Sequence, residues 1–204
     1  MASRLAGAVA LCALLQACSF GPDVELALTV DSTDPAVVEE TQRVLSARFA
    51  AFRPSLLSRA EFVVAGSTIR YRFKNGAPDA AVLEYLYRTP GHLTASLVTE
   101  PPEEPWFTER DIRRADVAYN GTARVIRIHL TPEAGRRVLG LTIDHIGGTM
   151  EMTLDGETLM SGRIRGVFSE RFEISGVDIP PALPAVLENG ALPARVTAVP
   201  LESI

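Results

Sequence analysis

Residues 61–74 read EFVVAGSTIRYRFK, and their reading decides the fold. Two β-rich arms meet at Gly66-Ser67, and along the second arm Ile69, Tyr71 and Phe73 alternate with Thr68, Arg70 and Arg72. A period of two marks a strand with one dry and one wet face, so the stretch reads as a hairpin in a sheet covered on one side only. The dry face needs helices, and the flanking sequence supplies two. Upstream, Val24–Val30 (VELALTV) reads as a strand, followed by Asp34-Pro35. There the carboxylate caps free N–H groups and the proline suits the first helical position. Val37, Val38, Thr41, Val44, Leu45, Phe49 and Phe52 follow at helical spacing until Pro54. Downstream of Asn75-Gly76, Pro78-Asp79 opens a second helix through Val82, Leu83 and Leu86, which Pro90-Gly91 ends. Leu93–Val98 then alternates as a strand. The order β-α-β-β-α-β predicts a sheet with both helices on one face.

Glu100–Pro105 (EPPEEP) is stiff and acidic, and reads as the boundary to a second unit. Thr108 to Ile112 predicts a capped helical turn. Ala115–Tyr119 and Arg124–Leu130 predict a hairpin across Asn120-Gly121. Thr131-Pro132-Glu133 starts a helix carrying Val138, Leu141, Thr142, Ile143 and Ile146, with Gly147 fit for the left-handed position at its end. Met150, Met152 and Leu154 alternate with Glu151 and Thr153 up to Asp155-Gly156, a dipeptide suited to a two-residue turn with positive φ. Ala182 to Glu188 predicts a short helix before Asn189-Gly190, and Ala194 to Val199 a closing strand.

The N-terminal MASRLAGAVALCALLQACSF is not fold material. Its apolar run from Leu5 to Leu15 is too short to span a bilayer and reads as an export signal. Leu15-Gln16-Ala17-Cys18 resembles a bacterial lipobox, which implies a signal over residues 1–17, a lipid on Cys18 and a tether over 18–22. Acyl chains there would hold the domain at a membrane. Ser19 after the cysteine leans towards the outer membrane. Of the two cysteines, Cys12 would leave with the signal and Cys18 would be alkylated, so no disulfide or thiol chemistry is expected of the mature domain. Net charge is −5, and the arginines are interleaved with acids, which excludes an electrostatic footprint for nucleic acid. His92, His129 and His145 lie in different elements with no metal-ligand spacing. No Ser stands in a G-x-S-x-G elbow, and Gly147-Gly148 follows a helix where a phosphate loop would precede one. The expectation is a protein that is not an enzyme, with no cofactor and no metal.

The ordered landmarks then resemble a known family, the first large periplasmic domain of SecD, which works beside the bacterial Sec channel. Thr108-Glu109-Arg110-Asp111-Ile112 with Ala115 and Val117 is similar to its "T..DI..A.V". Leu130 through Gly135 (LTPEAG) resembles "F...GA". Ile146-Gly147 with Leu154-Asp155-Gly156 resembles "IG......LDG", and Leu187 through Pro193 (LENGALP) resembles "L..GALP". The resemblance covers the chain from about Asp23 onward. It implies an α+β fold: a ferredoxin-like βαββαβ base over 23–104, an inserted α+β head over 105–190, and a return strand to the base over 191–204. Two stretches depart from the pattern. The family's "saP" becomes Met160-Ser161-Gly162-Arg163, and its Gly-rich "G....I.G" is reduced to Phe172 through Gly176.

The lipobox and the SecD resemblance together imply a lipid-anchored periplasmic protein of the bacterial envelope. It would bind extended polypeptide, or a protein partner in export or envelope assembly, with a link to the Sec translocon. Intramembrane charge relays need intramembrane helices, so a proton-driven motor is not expected of this chain by itself. The rival reading is a structural or signalling lipoprotein that recognises one folded partner. The candidate contact residues are Met150, Met152 and Met160, because methionine adapts to varied partners, with Arg163 and Phe168 beside them. The same methionines would equally serve as head core. Trp106 and Phe107 are candidates for a base–head hinge contact or an exposed anchor.

Overall fold

The computed structural model describes residues 23–52, 57–101, 104–175 and 180–199. Cys12, Cys18 and Pro54, and with them the signal, the lipidation site and the tether, lie outside the described residues. In chain order the elements begin with β1 (Val24–Val30), α1 (Pro35–Ala50), β2 (Arg59–Ala65), β3 (Thr68–Lys74), α2 (Ala80–Arg88) and β4 (Leu93–Leu97). They continue with β5 (Phe107–Thr108), a 3₁₀ turn (Glu109–Asp111), β6 (Ile112–Asn120), β7 (Ala123–Leu130), α3 (Pro132–Asp144), β8 (Thr149–Leu154) and β9 (Glu157–Arg163). β10 (Arg171–Ile174), α4 (Leu183–Asn189) and β11 (Val196–Val199) complete the chain.

The caps act as their chemistry requires. The Asp34 side chain accepts from the Ala36 N–H, Asp79 from Ala81 and Thr131 from Ala134. In the base, β1, β2, β3 and β11 form an antiparallel sheet in the order β11-β1-β3-β2. Leu28, Ile69, Tyr71 and Phe73 face α1 and α2, where Leu45, Phe49 and Leu86 complete a dry core. The Phe49 ring meets Tyr71 edge-on at 5.0 Å and Phe73 at 5.5 Å. Each such side chain, fully buried, contributes about 1.5–3 kcal/mol.

One expectation needs correction. Leu93–Leu97 is a strand, but it does not close the base. It lies between β5 and β8 in the head sheet β5-β4-β8-β9, and β11 takes the edge beside β1. Base and head therefore divide at Pro90-Gly91 and not near residue 104. The dry residues of β4 are Leu93, Ala95 and Leu97, and they meet Met150, Met152, Trp106 and Phe107. A second head sheet, β10-β7-β6, packs Ile126, Ile128 and Leu130 into the same core with Val138 of α3. α4 bridges the two units: Ala185 and Val186 join the base core, while Leu183 and Leu187 join the head core. The architecture is α+β, a ferredoxin-like base carrying a head.

Candidate functional site

Where base meets head, two chain crossings lie side by side, one at residues 89–92 and one at 190–192. Arg48, fully buried near the end of α1, ties them together. Its Nη1 donates to the carbonyls of Leu86 (2.9 Å) and Thr89 (2.7 Å), and its Nη2 to those of Pro90 (2.9 Å) and Gly190 (2.5 Å). Burial pushes the guanidinium down to about 10, opposed by Asp155 and Tyr85, so it stays charged at physiological pH. From the head side, Asp155 completes the junction. Its Oδ1 accepts from the Gly91 and His92 N–H groups, both at 2.8 Å, and its own N–H donates to the His92 carbonyl. Gly91 has φ +94, and a Cβ there would come within 2.5 Å of Arg48 Nη2. The LDG hairpin thus does more than turn. With φ of 54 at Asp155 and 85 at Gly156 it is a tight turn, and it also aims a carboxylate at the crossing.

The candidate contact residues scatter over the head. Met152 is fully buried and Met150 nearly so, in register with Ala95 and Leu97 of β4. They are core, not contact surface, because the face on which they alternate belongs to the buried cluster that holds Ile126, Ile128 and Leu130 of β7 and Val138 of α3. Met160 is half-buried opposite Met152. Arg163 is exposed, and its Nε donates to the Gly147 carbonyl at 2.9 Å. Phe168 is half-buried with its ring 5.2 Å from Phe172. Trp106 and Phe107 are also core: the Trp106 N–H donates to Ala95 O, and Trp106 O accepts from Arg137 Nε. They therefore form neither an exposed anchor nor the hinge.

The sequence reading ran this helix through Ile143 and Ile146, but α3 ends at Asp144, and both isoleucines are exposed. Ala134, Val138 and Thr142 face the core, while Leu139 (39% exposed) and Ile143 (54%), one turn apart, form an apolar ridge on α3, and Ile146 (58%) follows just past its end. The segment after β9 lies along α3. The Thr142 hydroxyl donates to the Phe168 carbonyl at 3.2 Å, and Gly135 lets the Glu170 backbone approach so closely that a Cβ would sit 3.1 Å from it. Val167, the residue before Phe168 in this segment, is exposed. The signal was present in the sequence: α3 carries more apolar residues than one face can bury. Among the described residues no three His, Cys, Asp or Glu side chains gather as a metal site, and no helix is long and apolar enough to cross a membrane.

No curated protein matches the chain. Among solved structures, one described as a membrane component SecDF that enhances protein export is 17% identical at a TM-score of 0.67, covering 89% of this chain and 100% of that one. SecDF in its super-membrane-facing form is 16% identical at a TM-score of 0.73, over 89% of this chain. The match spans 30% of that longer chain. At these identities the likeness is one of fold. The model of the SecDF P1 head subdomain matches residues 86–194, over half of the 204-residue chain, and it begins within the last turn of α2. The chain therefore belongs to the family of the SecDF P1 head subdomain.

Proposed function

We propose that this chain is a non-enzymatic protein of the bacterial envelope that binds extended or partly folded polypeptide during protein export. The observation that carries the reading is the exposed apolar side chains of the head: Leu139 and Ile143 one turn apart on α3, Ile146 just past its end, and Val167 next to Phe168, whose carbonyl is bonded to Thr142 of the helix. Contiguous exposed apolar side chains on a folded domain mark an interaction site. Side chains without fixed hydrogen-bond partners suit a site that accepts many sequences. Membership of the SecDF family supports a link to the Sec translocon and a face towards the periplasm. A lipid on Cys18, anchoring the domain at the outer membrane, belongs to the same proposal.

The test is crosslinking from a photoreactive residue at Ile143, with exposed Tyr119 as a control position. A ladder of many exported chains from Ile143, lost in Leu139→Asp, is the expected result. One discrete adduct would favour recognition of a single folded partner, and no adduct would overturn the ridge as the site. For the anchor, Cys18→Ser is expected to abolish lipid labelling and release the protein from membranes.

A further inference from the structure

β2 is the outer strand of the base sheet, and all seven of its residues are exposed. Sheet edges are ordinarily protected by proline, lysine, a bulge or a covering element. β2 contains neither Pro nor Lys, confines its charges to Arg59 and Glu61 at its start, and pairs with β3 without a shift of register. It exposes Phe62 (47%), Val63 (66%) and Val64 (44%). Ala60, Phe62 and Val64 stand opposite Phe73, Tyr71 and Ile69, on the face that carries the helices. α1 does not close over them, and apolar grooves remain on either side, one lined by Phe49, Phe52 and Phe62, the other by Val38 and Val64.

We propose that β2 pairs antiparallel with β2 of a second copy about a two-fold axis at Phe62, joining the two base sheets into one of eight strands. Charge decides the occupant and the register. On the wet face Val63 stands opposite Arg70, which in turn stands opposite Ala27. Arg70 is exposed and, unlike Arg72 with Glu25 or Lys74 with Glu61, has no carboxylate partner among the described residues. With Phe62 on the axis, Glu61 faces the partner's Val63, so it enters the same cross-strand row as the partner's Arg70. The two are about 9.6 Å apart at the backbone, which two long side chains leaning over a valine can span. The symmetry makes this pair twice. The same register stacks the two Phe62 rings and sets Ala60 against the partner's Val64.

Other registers do worse. An axis at Glu61 opposes two carboxylates directly, which is unfavourable across a strand pair. An axis at Ala60 sets Phe62 against the partner's buried Ser58, and an axis at Val63 sets Glu61 against the partner's Ala65, in the row of Thr68 and away from Arg70. An interface of one short strand from each side falls below the roughly 1,600 Å² of a standard stable complex, so the dimer is weak and depends on concentration.

This inference goes beyond polypeptide binding, and its test contains no polypeptide ligand. In the full chain with Cys12→Ser and Cys18→Ser, F62C is expected to form a disulfide-linked dimer on mild oxidation. A60C should not, because facing residues come within about 4.5–5.5 Å at Cβ and offset ones do not. By sedimentation equilibrium, Glu61→Arg should weaken the dimer about tenfold, and adding Arg70→Glu should restore it to within about twofold. A chain that stays monomeric at every concentration overturns the proposal. So does linkage by A60C in place of F62C, linkage through F62C to a co-purified polypeptide alone, or a double variant no stronger than Glu61→Arg.

Discussion

Asp155→Asn separates two roles that a turn aspartate can have. If the residue only shapes the hairpin, asparagine should serve as well, since it tolerates the positive φ of 54 found there. If the carboxylate holds the crossing, the change is costly. Asp155 accepts from the Gly91 N–H with both oxygens, at 2.8 and 3.1 Å, and from the His92 N–H at 2.8 Å. Asparagine keeps one acceptor and no charge. A hydrogen bond to a charged group contributes roughly 1.5–3 kcal/mol, against about 0.5–1.5 for a neutral one. Because Asp155 is exposed, the low end of each range applies, and the expected loss is about 1–2 kcal/mol. For a domain of this size that corresponds to a fall in Tm of about 2–8 °C. Thermal unfolding measures the sum, and amide hydrogen exchange resolves its location. Exchange at Gly91 and His92 should quicken while the base strands are unaffected at matched stability. An asparagine variant as stable as its parent, with unchanged exchange at those two amides, would refute the reasoning and leave Asp155 as a turn residue only.

Arg48→Lys is expected to cost about 3 kcal/mol in urea unfolding, since a buried ammonium cannot reach four carbonyls from two crossings and strands some of them. A loss below about 1 kcal/mol would show that the carbonyls find other partners. Tyr71 predicts a pH dependence. Burial raises its hydroxyl to about 12, against hydrogen bonds to Ser46 and Gln42 that lower it. The unfolded value is about 10, so folding favours the neutral phenol. Its contribution is complete below about pH 10 and is lost as pH climbs from there towards 12. Stability of the parent should fall through that window, and Tyr71→Phe should flatten the slope; identical slopes would count against the burial argument.

Much of the fold was legible because its cues are local. Asp34-Pro35, Pro78-Asp79 and Thr131-Pro132 announce helices through groups only two or three residues away, and Asn120-Gly121 and Asp155-Gly156 announce hairpins in the same manner. β10 was missed although Arg171–Ile174 alternates, because four residues next to a Gly-poor loop carry little periodic signal. The partner of β4 was not legible at all. Leu93, Ala95 and Leu97 state that one face is dry, but either sheet could satisfy them. Arg48 was invisible for a stronger reason. A lone arginine in a helix reads as solvated, and what buries it are carbonyls contributed by residues 86–90 and 190. Which of the apolar residues on α3 are exposed was not legible, because helical spacing alone does not say how wide a stripe the sheet beneath can cover.

The position of β11 bears on how the molecule is made. Val30 pairs with Val196, so the base sheet receives its last strand only when residues 196–199 have reached the compartment in which the domain folds. The strands of the head, by contrast, lie contiguously between residues 93 and 174 and can close among themselves first. Long-range pairings of the first kind are slow to form, and a chain delivered N-terminus first presents its early strands before their late partners. β1 therefore waits with an open edge while the head matures, and that interval is when the nascent base is most in need of shelter from other unpaired strands.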